Sequence, residues 1–299
     1  MMRYLVRYLA LALLTSTAHV FAAPADTNSV TPSLEKDVDV GGRTLHLATY
    51  GHGSPTVVVD AGLGEPAIES GTWKAVVASV SQSTTICLYD RAGLGKSGPV
   101  TNTVRTTEDV VRDLHTLLVN AKIAPPYILV GHSFGGFTVR LYAGRYPAEV
   151  AGIVLVDSSH PDQRSKLLAA LPPESPSEPE DIKKARAYFS QMGDPTNNSE
   201  HLDLVASARQ VSAVTNLGSI PLIVLTHSPK SPAGLGLPED LRTKMDLVWQ
   251  GLQDNLCLLS TQSTHKIASK ASHYIHREEP QLVIDAILKL VDAAKSKAR

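Results

Sequence analysis

Short apolar runs alternate along this chain with longer segments of helical period, and this alternation limits the possible folds more than any other feature. Each run is short and continuously apolar, as expected of a strand buried on both faces. Five runs have this form, at residues 56–60, 84–89, 127–130, 150–156 and 221–226. The clearest helical segments between them cover residues 73–80, 107–121 and 134–146. This order predicts an α/β fold, in which helices cover both faces of a mostly parallel sheet.

Three further segments extend this prediction. Residues 43–50 alternate like an antiparallel edge strand, and residues 265–269 have the pattern of a last short strand. A helix is predicted from about Pro280, and its apolar face should pack on the sheet. That face carries Val283, Ile287, Leu290 and Val291.

The domain organisation follows from where the alternation stops. A proline-rich piece and polar helical segments interrupt it at residues 160–219, which we interpret as a cap inserted after the strand ending at Val156. Residues 23–299 are otherwise predicted to form one domain. A content of 43% hydrophobic and 19% charged residues suits a chain that buries one large core.

The N-terminus is predicted to be a signal peptide over residues 1–22. Arg3 and Arg7 form a short basic region, an apolar run follows at residues 9–14, and Val20-Phe21-Ala22 offers small residues for cleavage. The apolar run is shorter than the roughly 20 residues that cross a bilayer. We therefore expect an exported protein, periplasmic or secreted, with no stable membrane anchor after cleavage.

Net charge bears on the possible partners of the protein, and cysteine content bears on whether it holds a disulfide. The formal net charge is −1, and no dense block of lysine and arginine offers a phosphate backbone a site, so nucleic acid is not expected. The two cysteines, Cys87 and Cys257, allow one disulfide without indicating it. Because Cys87 lies in an apolar run, a buried free thiol is favoured there. The sequence predicts no oligomeric state.

One sequence motif predicts a catalytic nucleophile. Gly131-His132-Ser133-Phe134-Gly135 fits G-x-S-x-G, the tight strand-to-helix turn that lifts a serine hydroxyl above a sheet. An apolar run precedes it and a helical segment follows it, which is the context the motif requires. Ser133 is therefore the predicted nucleophile. An inert serine in a glycine-rich connection is the alternative.

A serine nucleophile needs a histidine base, which needs an acid to hold its tautomer. The expected chain order is serine, acid, histidine. His273 lies in a loop between the presumed last strand and the final helix, whereas His276 is close enough to that helix to pack or cap it, so His273 is the predicted base. Asp157 directly follows the run 150–156. A carboxylate at the carboxyl end of a parallel strand faces the crevice in which such sheets bind ligands. It is the predicted acid, and Glu239 and Asp240 remain the alternatives.

The oxyanion formed on attack needs backbone N–H donors. One should be the amide of Phe134, directly after the predicted nucleophile. The other should come from the glycine-containing loop after residues 56–60, and we assign it to Leu63, whose side chain would line the pocket. An ordinary glycine turn is the alternative interpretation of that loop.

Together these residues resemble a known family. The motifs are Asp60-Ala61-Gly62-Leu63-Gly64, Tyr89-Asp90-Arg91-Ala92-Gly93-Leu94-Gly95-Lys96-Ser97, Leu129-Val130-Gly131-His132-Ser133-Phe134-Gly135-Gly136, Val156-Asp157-Ser158-Ser159-His160-Pro161 and Ser272-His273-Tyr274-Ile275-His276. Over residues 40–291 the chain resembles the α/β-hydrolase superfamily, in its serine-nucleophile, esterase-like branch. The likeness is weakest in the cap.

The resemblance implies an eight-stranded, mostly parallel sheet and hydrolysis, commonly of carboxylic esters, without a cofactor or metal. It supports Ser133, His273, Leu63 and Phe134 by position, and it implies that the turn at residues 89–91 is structural. Many members carry their acid after the strand that corresponds to residues 221–226. Here His227-Ser228-Pro229-Lys230 follows and offers no carboxylate, so Asp157 matches relatives with the acid one strand earlier.

The predicted function is therefore a serine hydrolase that cleaves an ester or related acyl bond of a small-molecule substrate through an acyl-enzyme. An acyltransferase or perhydrolase would use the same three residues with another acceptor in place of water. A non-catalytic protein that binds a small ligand on a hydrolase scaffold is the alternative from a different class, because fold alone does not determine function.

Overall fold

The computed structural model describes residues 30–100, 103–229 and 236–298. Its centre is an eight-stranded sheet in the order β1-β2-β4-β3-β5-β6-β7-β8. Strand β2 runs antiparallel to both β1 and β4, and all other neighbouring pairs are parallel. The strands are β1 Leu34–Asp39, β2 Thr44–Tyr50, β3 Thr56–Asp60, β4 Ile86–Tyr89, β5 Tyr127–His132, β6 Val150–Val156, β7 Leu222–Thr226 and β8 Ser263–Ile267. The predicted mostly parallel sheet is confirmed.

Helices cover both faces of this sheet. In chain order they are α1 Lys74–Val80, α2 Thr107–Ala121, α3 Gly135–Arg145, α4 Gln163–Ala170, α5 Glu180–Gln191, α6 Leu204–Ser212, α7 Glu239–Cys257, α8 Ile275–Glu278 and α9 Pro280–Lys297. The cluster that contains α1, α8 and α9 packs on one face. The cluster that contains α2, α3 and α6 packs on the other.

The alternation of side chains along each strand explains why both faces carry a core. In β3, Val57 and Val59 point into the cluster with α1 and α9, whereas Val58 between them points into the cluster with α2 and α3. Successive strand residues face opposite sides of a sheet. A strand buried on both sides must therefore be apolar at every position, and all five residues of β3 are buried.

A smaller apolar cluster joins α4, α5 and α7. Its buried members include Leu167 from α4, Phe189 from α5 and Met245 from α7. Helices α4, α5 and α6 come from the connection between β6 and β7, but α7 comes from the next connection, between β7 and β8. The helical layer beside the site is thus assembled from two separate segments.

The structure extends the sequence predictions at three places. Strand β1, in which four of the six residues are charged, was not predicted, and neither was α7, whose sequence is polar. β8 lies two residues earlier than the predicted strand at 265–269. Cys87 and Cys257 are free thiols. The predicted signal peptide lies outside the described residues, and no helix in the described ranges has the length and hydropathy needed to cross a bilayer.

Candidate active site

Four of the predicted site residues follow strands that end at the same edge of the sheet. Leu63 follows β3, Ser133 follows β5, Asp157 follows β6 and His273 follows β8. The carboxyl ends of parallel strands meet along one edge, which is where α/β sheets bind ligands. Leu63, Ser133, Phe134 and His273 all line one cavity of about 760 Å³.

The turn after β5 holds Ser133 in an unusual conformation. Its φ is 52°, in the left-handed region that costs a residue other than glycine about 1–3 kcal/mol. The backbone amide of Ser133 donates to Val156 at 3.2 Å, and the amide of Ser159 donates to the Ser133 carbonyl at 2.9 Å. These bonds fix the turn to the end of β6, next to Asp157.

The glycines of the motif are required by close packing. A Cβ on Gly131 would lie 2.5 Å from the carbonyl oxygen of Gly135. A Cβ on Gly135 would overlap the carbonyl of Asp60, at the end of the neighbouring strand β3. Only residues without a side chain allow the helix to begin this close to the sheet.

His273 and Asp157 are in direct hydrogen-bond contact. The Nδ1 of His273 lies 2.6 Å from the Oδ2 of Asp157. Asp157 is fully buried, and the His273 side chain is 38% exposed. A neutral imidazole that donates from Nδ1 has its free lone pair on Nε2. The structure thus brings these two predicted residues together.

Asp157 has two further partners that sequence reasoning missed. His227 donates to it from its backbone amide at 3.1 Å and from Nδ1 at 2.9 Å, and Trp249 of α7 donates from Nε1 at 2.9 Å. Burial opposes ionisation of Asp157, but the hydrogen bonds from His227 and His273 hold its pKa well below the usual range. Asp157 is therefore a charged acceptor for four donors.

His227 stands where many relatives carry the acid. It follows β7 directly, and its ring lies between two carboxylates, with Nε2 3.7 Å from Asp246. Burial opposes protonation, but the hydrogen bond to Asp157 and the charges of Asp157 and Asp246 raise the pKa of His227. The available signal was the position itself, a histidine at the carboxyl end of a central strand.

Two backbone amides of residues that line the cavity have no acceptor within the described residues. Within the described residues, the N–H groups of Leu63 and Phe134 donate no hydrogen bond, and the Ser133 hydroxyl has no hydrogen-bond partner. Catalytic hydrogen bonds are often long in a ligand-free site. Three groups predicted to act on a substrate are thus free to contact one.

Arg91 lies beneath the loop that carries Leu63. Its guanidinium is 2% exposed and pairs with Asp60 and with Glu200, at 2.6 Å from Nε to Oε2. It also donates to the carbonyls of residues 61 and 62, at 2.7 and 2.6 Å. The structural role implied for the turn at residues 89–91 thus has a physical basis. Glu200 comes from the connection between β6 and β7, and no local pattern marked it.

The alternative residues have different surroundings. Glu239 and Asp240 are exposed in the first turn of α7. The His276 ring is fully buried and stacks on Trp73, with 4.2 Å between ring centroids. Asp157 is therefore the acid that the structure brings to His273.

A second group of titratable side chains lies behind the turn. His132 donates from Nε2 to the carbonyl of His273 at 2.9 Å, and its Nδ1 lies 3.6 Å from Glu65. Burial lowers the pKa of His132 to about 4. Burial opposes ionisation of Glu65, but contacts with His132, His276 and Thr72 lower its pKa far below the usual range. The residue types of this group are those that bind a metal.

The sheet order and the strand-turn-helix after β5 define the class of α/β hydrolases. The chain belongs to this family: its residues 55–195 match the sequence profile described as the alpha/beta hydrolase fold. It is 30% identical over 267 residues to the uncharacterized protein YqjL of Bacillus subtilis, covering 89% of this chain and 95% of that protein.

Solved structures show the same fold. A thermophilic esterase from Thermogutta terrifontis superposes with a TM-score of 0.59 and 20% identity, covering 88% of this chain and 99% of the esterase. A serine hydrolase involved in carbazole degradation, CarC, superposes with a TM-score of 0.57 and 17% identity, covering 87% of this chain and 99% of that one. At these identities the likeness concerns the fold.

Proposed function

We propose that this protein is a serine hydrolase that cleaves carboxylic esters through an acyl-enzyme intermediate. One observation carries the proposal. A buried, ionised Asp157 holds His273 at 2.6 Å, beside a cavity that also contains Ser133 in its left-handed turn. The esterase and the serine hydrolase of similar fold support this choice within a family that hosts several chemistries.

In the proposed acylation step, the Ser133 oxygen bonds to the ester carbonyl carbon, and its proton passes to Nε2 of His273. Asp157 holds the ring in the required tautomer and stabilises the imidazolium that forms. The carbonyl electron pair moves to oxygen, where the amides of Leu63 and Phe134 donate to it. Collapse of this intermediate breaks the bond to the leaving alcohol, which takes the proton from His273.

Deacylation repeats these steps with water as the nucleophile. His273 takes a proton from water, the hydroxide oxygen bonds to the acyl carbon, and the bond to Ser133 breaks as the serine recovers its proton. The free acid is the second product. A small-molecule ester fits the cavity, whose wall includes Phe137, Met192 and Leu204 beside the proposed reacting groups.

A covalent probe tests the nucleophile. An alkyl fluorophosphonate should label wild type and fail to label Ser133→Ala. Ser159→Ala is the matched control, because Ser159 lines the same cavity and its hydroxyl has no proposed role. Equal labelling of wild type and Ser133→Ala, or no labelling and no turnover of any ester by wild type, would contradict the proposal and favour a binding protein.

Kinetics on p-nitrophenyl esters of increasing acyl length then define the substrate class. Product analysis with water, alcohol and peroxide in competition identifies the acyl acceptor. Hydrolysis should dominate in dilute aqueous solution. Ester or peracid as the main product at low acceptor concentration would reassign the protein as an acyltransferase or perhydrolase with the same residues.

Export is a separate part of the proposal, and it rests on residues 1–22. N-terminal sequencing of the mature protein from an expressing bacterium should begin near Ala23. A mature protein that retains Met1 would refute the predicted cleavage without affecting the proposed chemistry.

A further inference from the structure

Three side chains behind the turn of Ser133 direct their ligand atoms toward one point. They are Glu65 from the loop after β3, His132 from the end of β5 and His276 from α8. In the described ranges they form the one set of three histidine, cysteine or acidic residues whose ligand atoms all lie within 4.8 Å of one another. They belong to three segments that are far apart in sequence.

Three of the four ring nitrogens of this group are buried without hydrogen-bond partners in the described part of the chain. The Nδ1 of His132 and both ring nitrogens of His276 form no hydrogen bond within the described residues. His132 is 1% exposed and His276 is fully buried. The nearest carboxylate oxygens of Glu65 lie 3.6 and 3.8 Å away, which is too long for a hydrogen bond. A species bound between them would give these nitrogens the partners that buried polar atoms nearly always have.

The ligand types identify that species by chemistry. Two imidazole nitrogens and one carboxylate oxygen suit first-row divalent cations such as Zn²⁺, whereas Mg²⁺ and Ca²⁺ prefer oxygen alone. Zn²⁺ binds nitrogen and oxygen at about 2.0–2.2 Å, which separates the ligand atoms of a tetrahedral site by roughly 3.4 Å. The three ligand atoms lie within 4.8 Å of one another, so binding of the ion would draw them together to form three corners of a tetrahedral site.

The surroundings already orient each ligand. His132 donates from Nε2 to the carbonyl of His273, which leaves the lone pair of a neutral ring on Nδ1, toward Glu65. Thr72 donates to Oε1 of Glu65 at 2.6 Å. The His276 ring is stacked on Trp73 with 10° between the ring planes. Such outer contacts are typical of the residues around bound metals.

We propose that Glu65, His132 and His276 bind one first-row divalent cation, with Zn²⁺ as the reference ion. The ion would join the loop of Leu63, the turn of Ser133 and the loop of His273. It would act as a structural clamp on the proposed catalytic groups. The proposal goes beyond the proposed function and does not depend on it.

Calorimetric titration of Zn²⁺ into tag-free, chelator-treated full-length protein tests the site. Wild type should bind one equivalent, and Co²⁺ in its place should give visible d–d absorption. Glu65→Gln and His276→Gln should each weaken binding at least tenfold. His265→Gln is the matched control, because it removes an imidazole that pairs with Asp254 at 2.8 Å elsewhere. Mg²⁺ should not bind.

A crystal of the wild type soaked in Zn²⁺ gives a second measurement that does not need the variants to fold. An anomalous difference peak at bonding distance from all three side chains supports the proposal. No binding by wild type and a water alone between the three side chains would overturn it. So would one-equivalent binding that persists in both folded variants.

Discussion

Two carboxylates near the turn of Ser133 each have two histidines beside them, yet their surroundings differ. Asp157 accepts four hydrogen bonds, and both of its imidazoles donate to it. Glu65 receives hydrogen bonds from Thr72 and, at 3.4 Å, from the amide of Gly62, while its two imidazoles stay 3.6 and 3.8 Å away.

The difference teaches what each group can do. A buried carboxylate whose oxygens all accept hydrogen bonds holds its donors in fixed positions, because moving any donor would leave part of the charge without a partner. A carboxylate beside buried, unpartnered imidazoles is an incomplete group, because each free nitrogen costs stability unless something binds it. The first arrangement suits orientation of a base, and the second suits a bound cation.

The largest expected effect comes from neutralising Asp157, the carboxylate with a full set of hydrogen-bond donors. Asp157→Asn should lower kcat/KM on a p-nitrophenyl ester about 10³- to 10⁴-fold, because an amide that donates to His273 favours the wrong tautomer of the ring. Asp254→Asn is the control, since Asp254 also accepts from a histidine, His265, but is 70% exposed. It should retain activity.

The same assay decides between the acids. Asp240→Asn and Glu239→Gln should leave kcat/KM within about threefold of wild type, because both side chains are exposed on α7. A larger loss in either variant than in Asp157→Asn would move the acid to the connection after β7.

The next largest effect extends the comparison to Arg91, a buried cation that pairs with the carboxylates of Asp60 and Glu200. Arg91→Met should lower the free energy of unfolding in urea by about 3–5 kcal/mol, because Asp60 and Glu200 would remain buried without their cation. Arg145→Met is the control. Its pair with Glu108 is 56% and 45% exposed and should contribute at most about 1 kcal/mol. Equal losses in the two variants would refute the role of burial.

A smaller effect is expected at the incomplete group. Thr72→Val should lower the free energy of unfolding by about 1.5 kcal/mol, because Glu65 loses its one short hydrogen bond and Gly62 does not replace it. Ser70→Ala, which removes an exposed hydroxyl that donates to Thr72 at 3.0 Å, should change stability by less than about 0.5 kcal/mol. A neutral Thr72→Val would show that Glu65 has other strong partners.

The sequence predicted much of the first group and little of the second, for a physical reason. Ser133, Asp157 and His273 each follow a strand, so periodicity and chain order place them at one edge. His227, Glu65 and Glu200 act through contacts between remote segments, which no local pattern encodes. The turns of Ser133 and Asp157, both with positive φ, likewise depend on neighbouring strands.

The same reason explains the differences in the fold. Strands buried on both faces are recognisable in the sequence as continuous apolar runs. The bounds of β6, for example, are those predicted from the sequence. Edge strand β1 and helix α7 are partly solvated and polar, so their sequences favour no single structure. The α7 helix nevertheless supplies Trp249 to Asp157, so part of the site was invisible to pattern analysis.

The smallest expected effect concerns how His227 completes the Asp157 group. Its pKa is raised in the folded state by Asp157 and Asp246, so protonation stabilises the fold. This contribution is fully present below the unfolded value of about 6.5 and is lost as pH rises through the folded pKa. His227→Gln keeps an amide donor near Asp157 but removes the positive charge.

Denaturation in urea at two pH values measures this contribution. The excess in free energy of unfolding of wild type over His227→Gln should be larger at pH 6 than at pH 9. His52→Gln removes an exposed imidazole and should follow wild type at both values. A difference between wild type and His227→Gln that does not change with pH would mean that His227 binds Asp157 as a neutral ring. The Asp157 group would then be held by hydrogen bonds alone, without a charged imidazole.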